Sequence, residues 1–327
     1  MQLVKTVGRL GAAVLALFAA VAATPALAAY PEAQIKIIVG FPPGGGGDTY
    51  GRLIAEHMGR SMGKTIVVDN KPGAGGNLAA DAVAKAKPDG YTLLFAMSGN
   101  VALAPVLRGD KLPYKSPDDF VMIGTAVEAP HGLFVAASSK FQTAQQFFEA
   151  ARGGKLSFAS SGMGGSAHIT MEMVVQAAKV NMLHVPYRGT GPAITDLIGG
   201  QVDSFFATAP PVMGQVKGGR VRLLAISGES RNPSMPGIPT LKEIGIPVVL
   251  TQWYGLAAPA GTPPEVVDFL SHHLSQALAS KEFQQTVRMD GAVEVDRPKE
   301  KFRQFLLEDI ATYRRGLTPE LLKTVAP

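Results

Sequence analysis

The 327-residue chain has no cysteine, a single tryptophan and charged side chains at only 17% of its positions. Without cysteine there are no disulfides, no thiolate metal sites and no thiol nucleophile. The formal charge of +5 comes from 31 basic against 26 acidic residues. Lys5 and Arg9 lie in an acid-free stretch, 1–28, so the remainder carries 29 − 26 = +3. That is close to neutral and has no basic run to follow a phosphate backbone, which argues against a nucleic-acid partner. Enzyme signatures are missing too. There is no G-x-S-x-G elbow and no H-E-x-x-H, and the adjacent pair His272-His273 points about 100° apart on a helix, so it cannot chelate. What is plentiful is apolar side chain (46%) and glycine (37 residues). Such a chain buries a large core, and at roughly 150 residues per domain it divides into about two.

Lys5 and Arg9 precede an uncharged apolar stretch, Leu10 to Ala23, that ends at Thr24-Pro25 and is followed by Ala26-Leu27-Ala28. A charged start, a short apolar core and an A-x-A site form a secretory signal peptide, 1–28, with the mature chain from Ala29. The apolar core is shorter than the ~20 residues that span a bilayer, and no later stretch is long and apolar enough. The expectation is an exported protein without a membrane anchor. Outside the cytoplasm nucleotide cofactors are scarce, and no cofactor is expected.

Beyond this leader, strand-length apolar runs alternate with segments of helical period. Ile35–Gly40, Thr65–Asp69, Thr92–Phe95, Leu133–Ala136, Leu156–Ala159, Val202–Phe206, Val221–Ser227 and Trp253–Ala258 are expected strands. Helices are expected over 48–61, 77–86, 143–151, after Gly164, and over 192–198, 212–217, 264–279 and 298–316. The alternation predicts an α/β fold with mostly parallel sheets flanked by helices. Two blocks share one plan, in which a strand feeds a Gly/Ser loop and then a helix.

In the first block the loop is Phe41-Pro42-Pro43-Gly44-Gly45-Gly46-Gly47-Asp48, at the carboxyl end of a strand, where α/β sheets bind ligands. Glycines allow bare N–H groups to approach a ligand, Asp48 can cap the helix, and the helix N-terminus favours an anion by about 0.3–1 kcal/mol. No Gly-Lys-Ser/Thr follows, so this is not a nucleotide P-loop. In the second block the loop is Ser160-Ser161-Gly162-Met163-Gly164-Gly165-Ser166-Ala167-His168. Its G-x-G-x-x-A pattern lacks the acid expected ~20 residues on, and three hydroxyls suit a small oxyanion better than a dinucleotide. Ser166 also reads as a helix cap and His168 as a packed first-turn residue. Ser98 offers a further hydroxyl, Arg188 a cation, and Asp203 either a loop anchor or a strand end. Asn70-Lys71-Pro72-Gly73-Ala74-Gly75-Gly76-Asn77 is another Gly-rich turn into a helix, with Asn77 placed to cap it.

Val39-Gly40-Phe41-Pro42-Pro43-Gly44-Gly45, the segment Asn70–Asn77, Lys87-Pro88-Asp89-Gly90-Tyr91-Thr92-Leu93-Leu94, His184-Val185-Pro186-Tyr187-Arg188-Gly189, the run Gly191–Asp203 and Trp253-Tyr254-Gly255-Leu256 resemble, in order, the tripartite tricarboxylate transporter solute-binding proteins, or Bug-type receptors. The resemblance implies a periplasmic receptor with the two-lobed Venus-flytrap fold of periplasmic binding proteins, lobe I being 29–128 plus 253–327 and lobe II 129–252. It implies a small carboxylated solute gripped by backbone N–H groups and waters at Phe41–Asp48, with Phe41, Pro42, Gly44, Gly45, Gly46, Asp48 and Ser98 from lobe I. Ser160, Ser161, Gly164, Ser166, His168, Tyr187, Asp203 and Thr208 would come from lobe II. A monomer is expected, delivering to a permease of one large and one small membrane subunit. Phe206-Ala207-Thr208 lacks the acid that many members place after this strand, so an amine-free mono- or dicarboxylate is expected. Two other readings stand beside this one: a ligand-presenting subunit for a membrane sensor, and a secreted hydrolase using Ser160, Ser161 or Ser166 with His168.

Overall fold

A computed structural model describes residues 30–43 and 46–325; the leader 1–28, Gly44 and Gly45 lie outside the described residues. Residues 30–33 are a bent segment without regular structure. From Gln34 on, ten strands hydrogen-bond in the order β2-β1-β3-β9-β4-β7-β5-β6, with β8 and β10 also on β4. These are β1 (Ile35–Val39), β2 (Ile66–Asn70), β3 (Thr92–Met97), β4 (Phe120–Ala136), β5 (Leu156–Ser160), β6 (Met182–Pro186), β7 (Ser204–Thr208), β8 (Val221–Ile226), β9 (Thr251–Pro259) and β10 (Val293–Pro298).

The expected parallel pairing holds in the outer strands, β1 with β2 and β3, and β5 with β6 and β7. Every antiparallel ladder found involves β4 or β9. β4 is 17 residues long and serves both halves. Its Phe120–Pro130 stretch pairs with β9, and its His131–Ala136 stretch pairs with β7 and β8. The sheet arrangement is therefore mixed, because two strands run through the middle in the opposite sense to their neighbours.

Each half has its own core. Ile38, Leu94, Ala96, Trp253 and Ala257 pack with helix Asn77–Ala84 and with Phe302, Leu306 and Ile310 of helix Lys299–Gly316. In the other half the pleat sends alternate residues to opposite faces. Leu133, Val135 and Phe206 join Phe147, Phe158 and Met171 on one face, whereas Phe134 and Phe205 join Leu197 and Val212 on the other. Both faces are covered, so β7 is apolar without alternation. Each fully buried Phe contributes about 1.5–3 kcal/mol. Among the described residues no helix is long and apolar enough to cross a membrane.

Candidate functional site

The carboxyl ends of β1, β2, β3, β5, β6 and β7 open on one hollow of about 700 Å³. That volume is in the usual range for small-molecule sites. Its walls are the turns containing Phe41, Gly73, Gly99, Gly164, Gly189 and Thr208, and its back is Gln252 and Tyr254 of β9. Asn77, Ser166, Thr190 and Pro211, at or next to the first residue of four helices, are on its surface. These helices begin after Gly76, Gly165, Gly189 and Ala209, none of which caps them with a side chain. The N–H groups of Ser166, Thr190 and Gly191 have no intrahelical acceptor and can meet a ligand, whereas the Asn77 N–H is donated to the Ala74 carbonyl and the helix after Ala209 opens on Pro210-Pro211, which carry no N–H. Elsewhere Thr143 and Ser280 do cap their helices, through the N–H groups of Gln146 and Phe283, while the helices after Pro263 and Pro298 lack a side-chain cap. Among the described residues no Asp or Glu lines the hollow, but Arg108 from the first half and Arg188 from the second do, and neither is in an ion pair. The electrostatic balance suits an anion.

The first turn is fixed by three side chains that close a ring. The Asn70 amide donates to the Phe41 carbonyl at 2.9 Å and to Asp48 Oδ1 at 2.8 Å. Arg52 Nε donates to Asp48 Oδ2 at 3.0 Å, and Arg52 Nη2 donates to Asn70 Oδ1 at 3.0 Å. Arg52 is one helical turn beyond Asp48 and is held protonated above its ordinary range by that hydrogen bond. Helix Gly46–Met62 starts two residues before Asp48, so Asp48 is inside its first turn and works as an anchor for the loop.

On the opposite wall Ser166 is the first helical residue, with Gly165 in the cap position where Ser166 itself was expected. Its hydroxyl reaches Gln252 Oε1 on β9 at 2.6 Å and lies 3.3 Å from His131 Nε2 on β4. Thus one hollow-lining side chain touches both strands that run between the halves. His131 is fully buried, and burial lowers its pKa to about 4, so it is neutral at pH 7. His168 is buried in the first helical turn and accepts the Gly164 N–H on Nδ1 at 3.0 Å. Its ring stacks on His184 with centroids 3.8 Å apart and planes 15° apart.

Of the residues expected at the site, Phe41, Pro42, Ser161, Gly164, Ser166, His168 and Thr208 line the hollow. Gly46 is the first residue of its helix. Asp48 is spent on the clamp. Ser98 is fully buried and does not line the hollow. Ser160 is buried, with its hydroxyl donated to the Gly162 carbonyl and 2.8 Å from His184 Nε2. A serine so placed faces no substrate, which removes it as a nucleophile. Tyr187 donates to Asp196 at 2.7 Å, drawing its ring against the next helix. Asp203 accepts from the Ser157 N–H at 2.8 Å and from its hydroxyl, so it staples β7 to β5. Residues that sequence reading missed are Gln252, His131, His184 and Arg108; the first two had a visible signal, being polar within apolar strands.

The ligand atoms of His168, Glu172 and His184 lie within 4.8 Å of one another. The two rings nevertheless stack nearly parallel, so their in-plane lone pairs cannot converge on one ion. This arrangement does not fit a metal.

Residues 51–317 match the tripartite tricarboxylate transporter family receptor. Among solved structures, that of the periplasmic binding protein BugD is 32% identical with a TM-score of 0.80, covering 88% of this chain and 97% of that one. MatC (Rpa3494) from Rhodopseudomonas palustris, with bound malate, is 31% identical with a TM-score of 0.79, covering 88% and 100%. Rpa4515 of R. palustris, with adipate, is 28% identical with a TM-score of 0.83, covering 91% and 99%. A family match running through most of the chain, with solved relatives of the same fold over nearly their whole length, makes this protein a solute-binding receptor of the tripartite tricarboxylate transporter family.

Proposed function

We propose that the chain captures a small, amine-free mono- or dicarboxylate in the periplasm and hands it to a membrane permease of one large and one small subunit. The observation that carries this is the hollow itself: the uncapped helix N-termini at Ser166 and Thr190 and two arginines converge there, and no acid is among the described lining residues. Residues 1–28 serve as the export signal, and the receptor works as a monomer without catalysis. The lobes are 29–128 plus 253–327 and 129–252, joined where β4 and β9 pass between them. One carboxylate is held by backbone N–H groups at Phe41–Gly47 and at Gly164–Ser166, and Arg108 and Arg188 bring charge from either side. The malate and adipate bound to two relatives support this class of solute.

Micromolar affinity needs about −8 kcal/mol, within reach of several N–H donors, charge-assisted contacts and apolar burial. Calorimetry with glutarate and glutamate tests the reading, since the two differ by one ammonium group. Heat is expected with glutarate, malate or adipate. Glutamate is expected at least about tenfold weaker, because its ammonium group has no carboxylate to meet. No heat with any of these acids, or glutamate binding more tightly than glutarate, sinks the proposal.

A further inference from the structure

The Gly164 turn is held from behind by an imidazole. Gly164 has φ +72°, a conformation reserved largely for glycine, and its N–H is donated to His168 Nδ1 at 3.0 Å. An imidazole nitrogen that accepts a backbone N–H carries no proton, so the His168 hydrogen is on Nε2, which faces Glu172 Oε1 at 3.5 Å. His184 covers the other face of that ring, and its Nε2 lies 2.8 Å from Ser160 Oγ, which itself donates to the Gly162 carbonyl in the same turn. Phe158 of β5 stacks beyond His184. The groups facing the two rings are therefore Glu172 from the helix, Phe158 and Ser160 from β5 and the Gly162–Gly164 backbone, and the titratable ones are Glu172 and the imidazoles.

A proton added to His168 has to go on Nδ1, where it opposes the Gly164 N–H. A second positive ring 3.8 Å away is strongly disfavoured. We propose that His168, backed by His184, is the positioning residue of this binding turn. The proposal rests on the receptor reading above but names the side chain that holds the turn in its binding shape. Burial and the neighbouring His168 lower the His184 pKa to about 4, so the ring stacked on His168 is neutral at pH 7.

Asparagine keeps the acceptor that holds the turn, because its Oδ1 sits close to where Nδ1 was. With malate and adipate as probes, His168→Asn is expected to bind within a few fold of wild type. His168→Phe, which cannot accept the N–H, is expected to lose about tenfold or more. Unimpaired binding by His168→Phe, or His168→Asn as weak as His168→Phe, overturns the proposal. A ligand-free readout keeps it separate from the choice of solute. In ¹⁵N spectra His168 should be the Nε2–H tautomer, and the Gly164 amide should hold its position in His168→Asn and move in His168→Phe. If neither acid binds, the receptor reading is at fault and these spectra still decide the matter: an Nδ1–H tautomer, or a Gly164 amide unmoved in His168→Phe, refutes it.

Discussion

Trp253 shows how one residue beside the hollow is governed by a group outside it. Its neighbours Gln252 and Tyr254 line the hollow, and strand alternation sends the indole to the other side of β9. There it is fully buried against Phe302 and donates Nε1–H to Asp309 at 2.7 Å. Burial raises the Asp309 pKa to about 7 despite that hydrogen bond. The indole therefore faces a carboxylate above that pH and a carboxylic acid below it. Tryptophan emission of the free receptor is expected to titrate with a midpoint near 7 and to become flat in Asp309→Asn, which keeps an acceptor oxygen but loses the charge. An emission curve that is flat in the wild type, or that still titrates in the variant, contradicts this assignment. At this scale the sequence was legible in part. Gly164, Ser166 and His168 were visible as a Gly/Ser turn entering a helix. The fates of Asp48 and Asp203 were not, because a carboxylate on a loop looks the same whether it meets a ligand or, as here, Asn70 and Ser157.

Elements were more legible than residues wherever the apolar period was regular. Helix Pro264–Leu278, with Leu270, Leu274 and Leu278 buried on one side, ends within a residue of the position its spacing predicts. β4 was visible only at its last four residues, since Gly124, Glu128, Pro130 and Gly132 interrupt the pattern and imitate turn signals. β10, Val-Glu-Val-Asp-Arg-Pro, is half charged and pairs only along one edge of β4, so its sequence looks like a loop. β6 is absent from the expected strands because its short apolar run ends in His184-Val185-Pro186. Two glycines earn their place by close approach. A Cβ on Gly255 would lie 2.4 Å from the Gly124 carbonyl oxygen, on the strand facing it. A Cβ on Gly40 would lie 2.4 Å from Gly76 Cα, between the first two turns of the hollow. Gly255→Ala is expected to lower stability by about 1–3 kcal/mol by wedging β9 from β4, read as a lower urea midpoint. Gly40→Ala separates two turns that line the hollow and should weaken malate or adipate binding by about tenfold, with a smaller loss of stability than Gly255→Ala. The reverse ranking of the two variants would mean that the site does not depend on how closely those turns approach.

For the whole molecule the important feature is that buried titratable groups meet the two central antiparallel strands, β4 and β9. His131 is on β4 and touches both Ser166 and the Leu250 carbonyl; Trp253, bound to Asp309, is on β9. The alternation of strands and helices was legible, but this placement depends on register, which the sequence alone does not supply. It has a consequence for stability. His131 and His184 have native pKa values lowered from 6.5 to about 4, so from about pH 6.5 down to 4 the unfolded chain binds up to two protons that the native state refuses. The stability they provide is complete above about 6.5 and is lost as pH falls toward 4. Asp309 works in the opposite sense, with its value raised from 3.8 to about 7, so the native state holds a proton that the unfolded chain has released, and stability is lost as pH rises across that interval. Over their common range the two histidines outnumber the one acid. The melting temperature of the wild type should therefore fall from pH 6.5 to pH 4.5, and Asp309→Asn, which removes the opposing proton, should fall more steeply. A wild-type melting temperature that rises on acidification, or a variant with the shallower slope, would show that these three groups do not govern how the fold answers to pH.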